Sequence, residues 1–122
     1  MKKVAVVLCG SGFKDGSEIR ESVLSLLAID EAGATFDCFA PDDWQHDVIN
    51  CATGQAMNEK RNLLVEAARI ARGNIRPITE LKAKNFDAIL FPGGFGVAKN
   101  LCTFAFKGSA GSVRSDIEAV IN

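Results

Sequence analysis

Glu18 and Glu21 stand three residues apart, just beyond the loop Gly10-Ser11-Gly12-Phe13-Lys14-Asp15-Gly16-Ser17. Far down the chain, a second glycine cluster, Pro92-Gly93-Gly94-Phe95-Gly96, closes the apolar run Ala88-Ile89-Leu90-Phe91. These residue types suit acid–base and oxyanion chemistry. A carboxyl group in a dry crevice has its pKa raised and can hold or pass a proton, and backbone N–H groups bared by glycine can stabilise a developing oxyanion. The competing reading makes the two glutamates solvated partners of a helix dipole. A thiolate near a helix N-terminus is activated, and Cys9 stands just before the first loop. It ends an apolar run, however, and the only histidine is His46, in a distant segment. Cys102 lies in a Phe-rich stretch without a partner, so both thiols read better as core residues. His46 alone reads as a loop or surface residue.

Gly10-x-Gly12-x-x-x-Gly16 between a strand and a helix is also close to a dinucleotide or phosphate loop. Its third glycine falls one place late, and two glutamates stand where a phosphate would sit. Asp37, Asp42 and Asp43 are the candidates for a ribose contact in that reading. Arg61, Arg69, Arg72 and Arg76 alternate with Glu59 and Glu66, a pattern of ion-paired solvated surface.

The elements that must hold these groups follow from periodicity. Val4 to Cys9 is an unbroken apolar run, suited to a buried parallel strand. Ser17 is the expected N-cap of a helix with Ile19, Val23, Leu26 and Leu27 on one stripe, ended by Gly33. Ala34 to Ala40 forms a second strand, and strand–helix–strand gives a right-handed parallel unit. Residues 44–56 lack a period and could hold a small hairpin or a contact surface. Asn58 is the expected cap of a helix to about Arg72, with Leu64, Ala67, Ala68 and Ala71 inward. Arg76-Pro77-Ile78 is extended, a short turn from Thr79 feeds the strand at 87–91, and Ser112 opens a last helix with Val113, Ile117, Val120 and Ile121 on one face.

The 122 residues allow one domain at most. Fourteen Lys+Arg against fifteen Asp+Glu give a net charge of −1, which removes the electrostatic case for nucleic acid or an anionic membrane. A small neutral molecule or a protein is the expected partner. The four cysteines are not spaced as a metal knuckle and no apolar run has membrane-spanning length. Free thiols point to a reducing compartment, and the expected location is the cytoplasm.

Taken together, Cys9 to Glu21 and Leu90 to Leu101 resemble the PfpI-like, class I glutamine amidotransferase-like superfamily, and within it the ElbB-type branch associated with isoprenoid biosynthesis. Asp47-Val48-Ile49-Asn50, Thr53-Gly54, Ala56-Met57 and Arg61-Asn62 extend the resemblance over essentially the whole chain. The resemblance implies a flavodoxin-like parallel sheet sandwiched by helices, truncated after about three core strands, with residues 1–122 as the N-terminal part of one domain. It implies a cofactor-independent, metal-free glyoxalase that turns glyoxal or methylglyoxal into a 2-hydroxy acid through a nucleophilic cysteine. Glu21 would hydrogen-bond that cysteine and the Gly94 N–H would serve the oxyanion hole, with Gly12, Glu18, Gly93 and Phe95 as substrate contacts. The nucleophile elbow would follow the last helix, so the chain alone is expected to be inactive and to leave an open sheet edge for a homodimer or the remaining half. Two other readings stand beside this one: a non-catalytic regulatory or chaperone-like scaffold, and a dinucleotide-binding half-domain.

Overall fold

The computed structural model describes residues 1–122. Strands β1 (Lys3–Val7), β2 (Thr35–Ala40), β5 (Ile75–Pro77) and β6 (Ala88–Leu90) form one parallel sheet in the order β5-β2-β1-β6. Helices α1 (Ile19–Glu31), α2 (Leu63–Ala71), α3 (Phe104–Lys107) and α4 (Ser115–Ile121) complete a flavodoxin-like α/β arrangement. The expected three core strands are four, because Ile75–Pro77, read only as extended, pairs with β2 through Cys38, Phe39 and Ala40.

The run Val4 to Cys9 is apolar throughout because both faces of β1 are covered. Ala5, Val7 and Cys9 point into a cluster with Phe39, Ile78, Leu81, Leu101 and Ile117. Val6 and Leu8 point the other way, onto Ile29 of α1 and Ala67 of α2. Side chains alternate along a strand, so one run feeds two cores. Each large side chain fully buried this way contributes about 1.5–3 kcal/mol.

Three helix starts differ from the periodic reading, because either the expected capping residue or the segment leading into the helix is engaged elsewhere. Ser17 is fully buried, and its hydroxyl accepts from the Cys9 N–H at 2.9 Å, so Glu18 caps α1 instead, accepting from the Glu21 N–H at 2.7 Å. Residues before Leu63 are held extended by a Trp44–Asn62 bridge and by the Gln45 N–H on the Arg61 carbonyl, so Asn62 rather than Asn58 caps α2. Ser112 pairs with Thr103 in both directions, which delays α4 to Ser115. The inward stripe of α1 also sits one position from the expected one. Ser22 and Ile29 are buried with Leu26 packed beside them, while Ile19, Val23 and Leu27 remain about half exposed.

The unassigned 44–56 stretch does carry a small hairpin, β3 (Ile49–Asn50) with β4 (Gln55–Ala56). A single π-helical turn, Val97–Leu101, follows the second glycine loop. Strand β6 has a partner on one side only.

Candidate functional site

Because β1 and β6 are parallel neighbours, their carboxyl ends bring the two glycine loops side by side, the usual place for a ligand in an open α/β sheet. The loops join backbone to backbone. The Glu18 N–H donates to the Gly93 carbonyl at 2.6 Å, the Phe95 N–H to Phe13 at 2.9 Å and the Gly96 N–H to Gly16 at 3.2 Å. Such contact leaves no room for Cβ atoms. One added to Gly94 would strike the Gly16 carbonyl oxygen, and one on Gly96 would strike the Gly16 backbone.

Glu21 lies on the exposed side of α1 with its carboxylate against Gly93, filling the space a Gly93 side chain would need. The crevice is therefore open at Glu21 rather than dry within these residues. The next peptide, the Gly94 N–H, donates to no protein acceptor, whereas those of Phe95 and Gly96 are both engaged. Phe95 is half exposed beside them. These four residues, Glu21, Gly93, Gly94 and Phe95, are brought together at one edge of the loop pair.

The other two expected contacts have structural duties. Gly12 is buried, its N–H donates to the Ser17 carbonyl, and the Asp15 carboxylate fills the space beside its α-carbon. Glu18 caps α1. Its bond from the Glu21 N–H, with smaller help from Arg20, holds the Glu18 carboxyl below the usual carboxylate range. The same geometry disfavours a phosphate cradle at the glycines. The N–H groups of Cys9, Gly10, Gly12 and Gly16 all donate within the protein, and a carboxylate already occupies the helix start.

Sequence reasoning passed over Asp15 and Asn100, both buried. The Asp15 carboxylate accepts from the Ile49 N–H at 2.8 Å, and Asn100 donates to the Asp15 carbonyl at 3.0 Å while accepting from the His46 N–H at 2.8 Å. Together they fasten residues 46–49 to the loop pair. The available signal was polar residues adjoining both glycine loops. Lys99, on the same π-turn, binds Asp47 at 2.9 Å. Between hairpin and loops lies a hollow of about 450 Å³ lined by Phe13, Lys14, Ile49, Gly54, Phe95 and Lys99.

All four cysteines are free thiols. Burial pushes the Cys9 thiol up to about 11, against a hydrogen bond with the Ser17 hydroxyl that pulls it down, and burial likewise takes Cys38 to about 11. The folded chain thus holds the Cys9 proton more tightly than the unfolded one. The associated stability is present below the ordinary value of 9.0 and is lost as pH rises from there to about 11. We expect a thiol reagent at pH 8 to label exposed Cys51 first and Cys9 and Cys38 only on unfolding; fast native labelling of Cys9 would refute this. The expected ion-paired face exists, with Arg61 on Glu59 and on Glu66, and Arg69 on Glu66, although Glu66 is buried rather than solvated.

No group of three or more His, Cys, Asp or Glu side chains converges as a metal site, and no helix is long and apolar enough to cross a membrane. No family model matches the chain. Two mammalian proteins do resemble it closely. The human glutamine amidotransferase-like class 1 domain-containing protein 3, mitochondrial, is 48% identical over 120 residues, covering 98% of this chain and 45% of that protein. The ES1 protein homolog, mitochondrial, of Rattus norvegicus is 47% identical over the same length and shares. The chain is similar to glutamine amidotransferase-like class 1 domain proteins. The ES1 protein, mitochondrial, of Danio rerio is 34% identical over 123 residues, 97% of this chain and 46% of that protein. A crystal structure of an isoprenoid biosynthesis protein with an amidotransferase-like domain from Ehrlichia chaffeensis superposes with a TM-score of 0.92 at 39% identity, over 99% of this chain and 55% of that one. The chain spans less than half the length of the curated relatives it matches. The names of those relatives correct the expected cytoplasmic location, because all three are mitochondrial proteins. Free thiols separate oxidising from reducing compartments and carry no information on which reducing compartment it is.

Proposed function

We propose that the chain supplies half of the active site of a cysteine-dependent glyoxalase-like enzyme of the ElbB type, associated with isoprenoid biosynthesis. The observation that carries the reading is the unengaged Gly94 N–H next to the contact between Gly93 and the Glu21 carboxylate. The relative solved from Ehrlichia chaffeensis is described as an isoprenoid biosynthesis protein, which supports the association. The nucleophilic thiolate is assigned to polypeptide outside the 122 residues, consistent with relatives about twice as long. Cys9 and Cys38 are buried and protonated, and Cys51 lies in the hairpin turn.

In this mechanism the thiolate adds to the aldehyde carbon of glyoxal or methylglyoxal, and the oxygen that gains charge is met by the Gly94 N–H. Glu21 steadies the thiol and relays the proton that moves from the attacked carbon to its neighbour, leaving a thioester. One water then hydrolyses the thioester to the 2-hydroxy acid and returns the thiol. Neither a cofactor nor a metal takes part. The open edge of β6 would be covered by the remainder of the domain or by a second copy of the protein.

The test is turnover of glyoxal and methylglyoxal by the full-length protein, with residues 1–122 alone as the control. The full-length protein is expected to form the 2-hydroxy acid and the control to form none. Turnover by the control would place the nucleophile within this chain and overturn the assignment, and no turnover by the full-length protein would favour a non-catalytic scaffold.

A further inference from the structure

We propose that the hollow between the hairpin and the two glycine loops is a binding site for a small monocarboxylate with an apolar, ring-sized body. The hollow adjoins the proposed aldehyde site through Phe95 but does not include its reacting groups, since neither Glu21 nor Gly94 lines it.

Size is the first argument. An engineered cavity of about 150 Å³ accepts benzene, so a hollow of about 450 Å³ holds a ring with a short acidic arm, whereas glyoxal would leave most of it empty. Its walls are the second. Phe13, Phe95 and Ile49 present apolar surface, and both phenylalanines are about half exposed, which leaves them free to cover a ligand.

Charge decides the class. Two ammonium groups reach the hollow, and they differ. Lys99 is nearly buried and held by both oxygens of Asp47, at 2.9 and 3.1 Å, with the Phe95 ring 5.4 Å away. Its charge is already matched. Lys14 forms no ion pair and no side-chain hydrogen bond, and it sits 5.6 Å from the centroid of the Phe13 ring. Its Nζ also lies against Gly54, where an added Cβ would come within 2.9 Å. The carboxylate nearest in sequence, Asp15, is buried and engaged with the Ile49 N–H. One unmatched, positioned ammonium beside aromatic walls fits one negative charge on an apolar body. A lysine ammonium binds as a compact point charge, which suits a carboxylate held at one end.

The experiment titrates the 122-residue chain with 3-phenylpropanoate, read by calorimetry and by amide shifts in the NMR spectrum. We expect saturable 1:1 binding with shifts concentrated at Phe13, Ile49, Gly54 and Phe95. The neutral amide of the same acid should bind at least about tenfold more weakly, as should Lys14→Met, which keeps the aliphatic stem, while Lys14→Arg should retain most of the affinity. Absence of saturable binding, equal binding of the amide, or unchanged affinity in a folded Lys14→Met variant would overturn the proposal. Tighter binding of inorganic phosphate than of the carboxylate would also overturn it, by making the hollow a general anion site. Because the assay needs no turnover, a full-length protein that turns over aldehydes while its pocket stays empty sinks this inference alone, and binding without turnover sinks only the glyoxalase reading.

Discussion

Glu21→Gln in the full-length protein is expected to lower glyoxal turnover by about 10²-fold or more while leaving the fold in place. The two halves of that expectation rest on different observations. The carboxylate makes no hydrogen bond or ion pair within the chain and the residue is exposed, so the substitution removes no stabilising partner and should change stability by less than about 0.5 kcal/mol. The amide also keeps the shape that lies against Gly93. It can no longer ionise or relay a proton, which is the property the proposed mechanism needs. A fall in kcat with little change in KM would mark a group acting on the transition state, and a rise in KM alone would make Glu21 a binding residue. Turnover equal to the unmodified protein in a folded variant would remove Glu21 from the mechanism.

The sheet and its two glycine loops were legible because their signals are local. An apolar run followed by glycine identifies a parallel strand and its loop at both β1 and β6. Only β1 is covered on both faces; β6, whose continuous apolar run also suggested burial, is an edge strand with exposed and half-buried residues. The helix starts were less legible because capping is a competition. Ser17 is a good cap by type, but a tertiary bond from Cys9 captures its hydroxyl, and no periodicity in the helix records that. At the other two helices the start is displaced by strand-like pairing just before it, Asn62 with Trp44 beyond Asn58 and Ser112 with Thr103. At the site, Glu21, Gly93, Gly94 and Phe95 could be read as neighbours, since parallel strands must bring their loops together. Gly12 and Glu18 looked equally available in sequence. Only the hydrogen bonds show that the first is sealed by Asp15 and the second caps α1. Lys14 was hidden because a lone surface lysine carries no pattern, and its meaning comes from Asp47 matching the other ammonium.

Gly94→Ala should be the most damaging single-methyl change in the glycine loops. Its φ of +132° lies where side chains are strained, a cost of order 1–3 kcal/mol by itself. The added Cβ would also run into the Gly16 carbonyl oxygen and come within 2.7 Å of the Glu18 nitrogen. Those are backbone atoms bonded across the loop pair, so relief requires the Glu18 to Gly93 hydrogen bond at 2.6 Å to open. We expect a loss of roughly 3 kcal/mol or more in urea unfolding, the upper range of single substitutions. Gly33→Ala is the control for strain alone, with φ +80° and open space around it, and should cost only about 1 kcal/mol. Gly93→Ala is the control for crowding alone, since its Cβ would meet the far end of the Glu21 side chain, which can swing away. If Gly94→Ala costs no more than these two, the loops are not locked backbone to backbone. If the proposed function holds, the same substitution in the full-length protein should abolish turnover, because any shift that accommodates the methyl group moves the N–H proposed to meet the oxyanion.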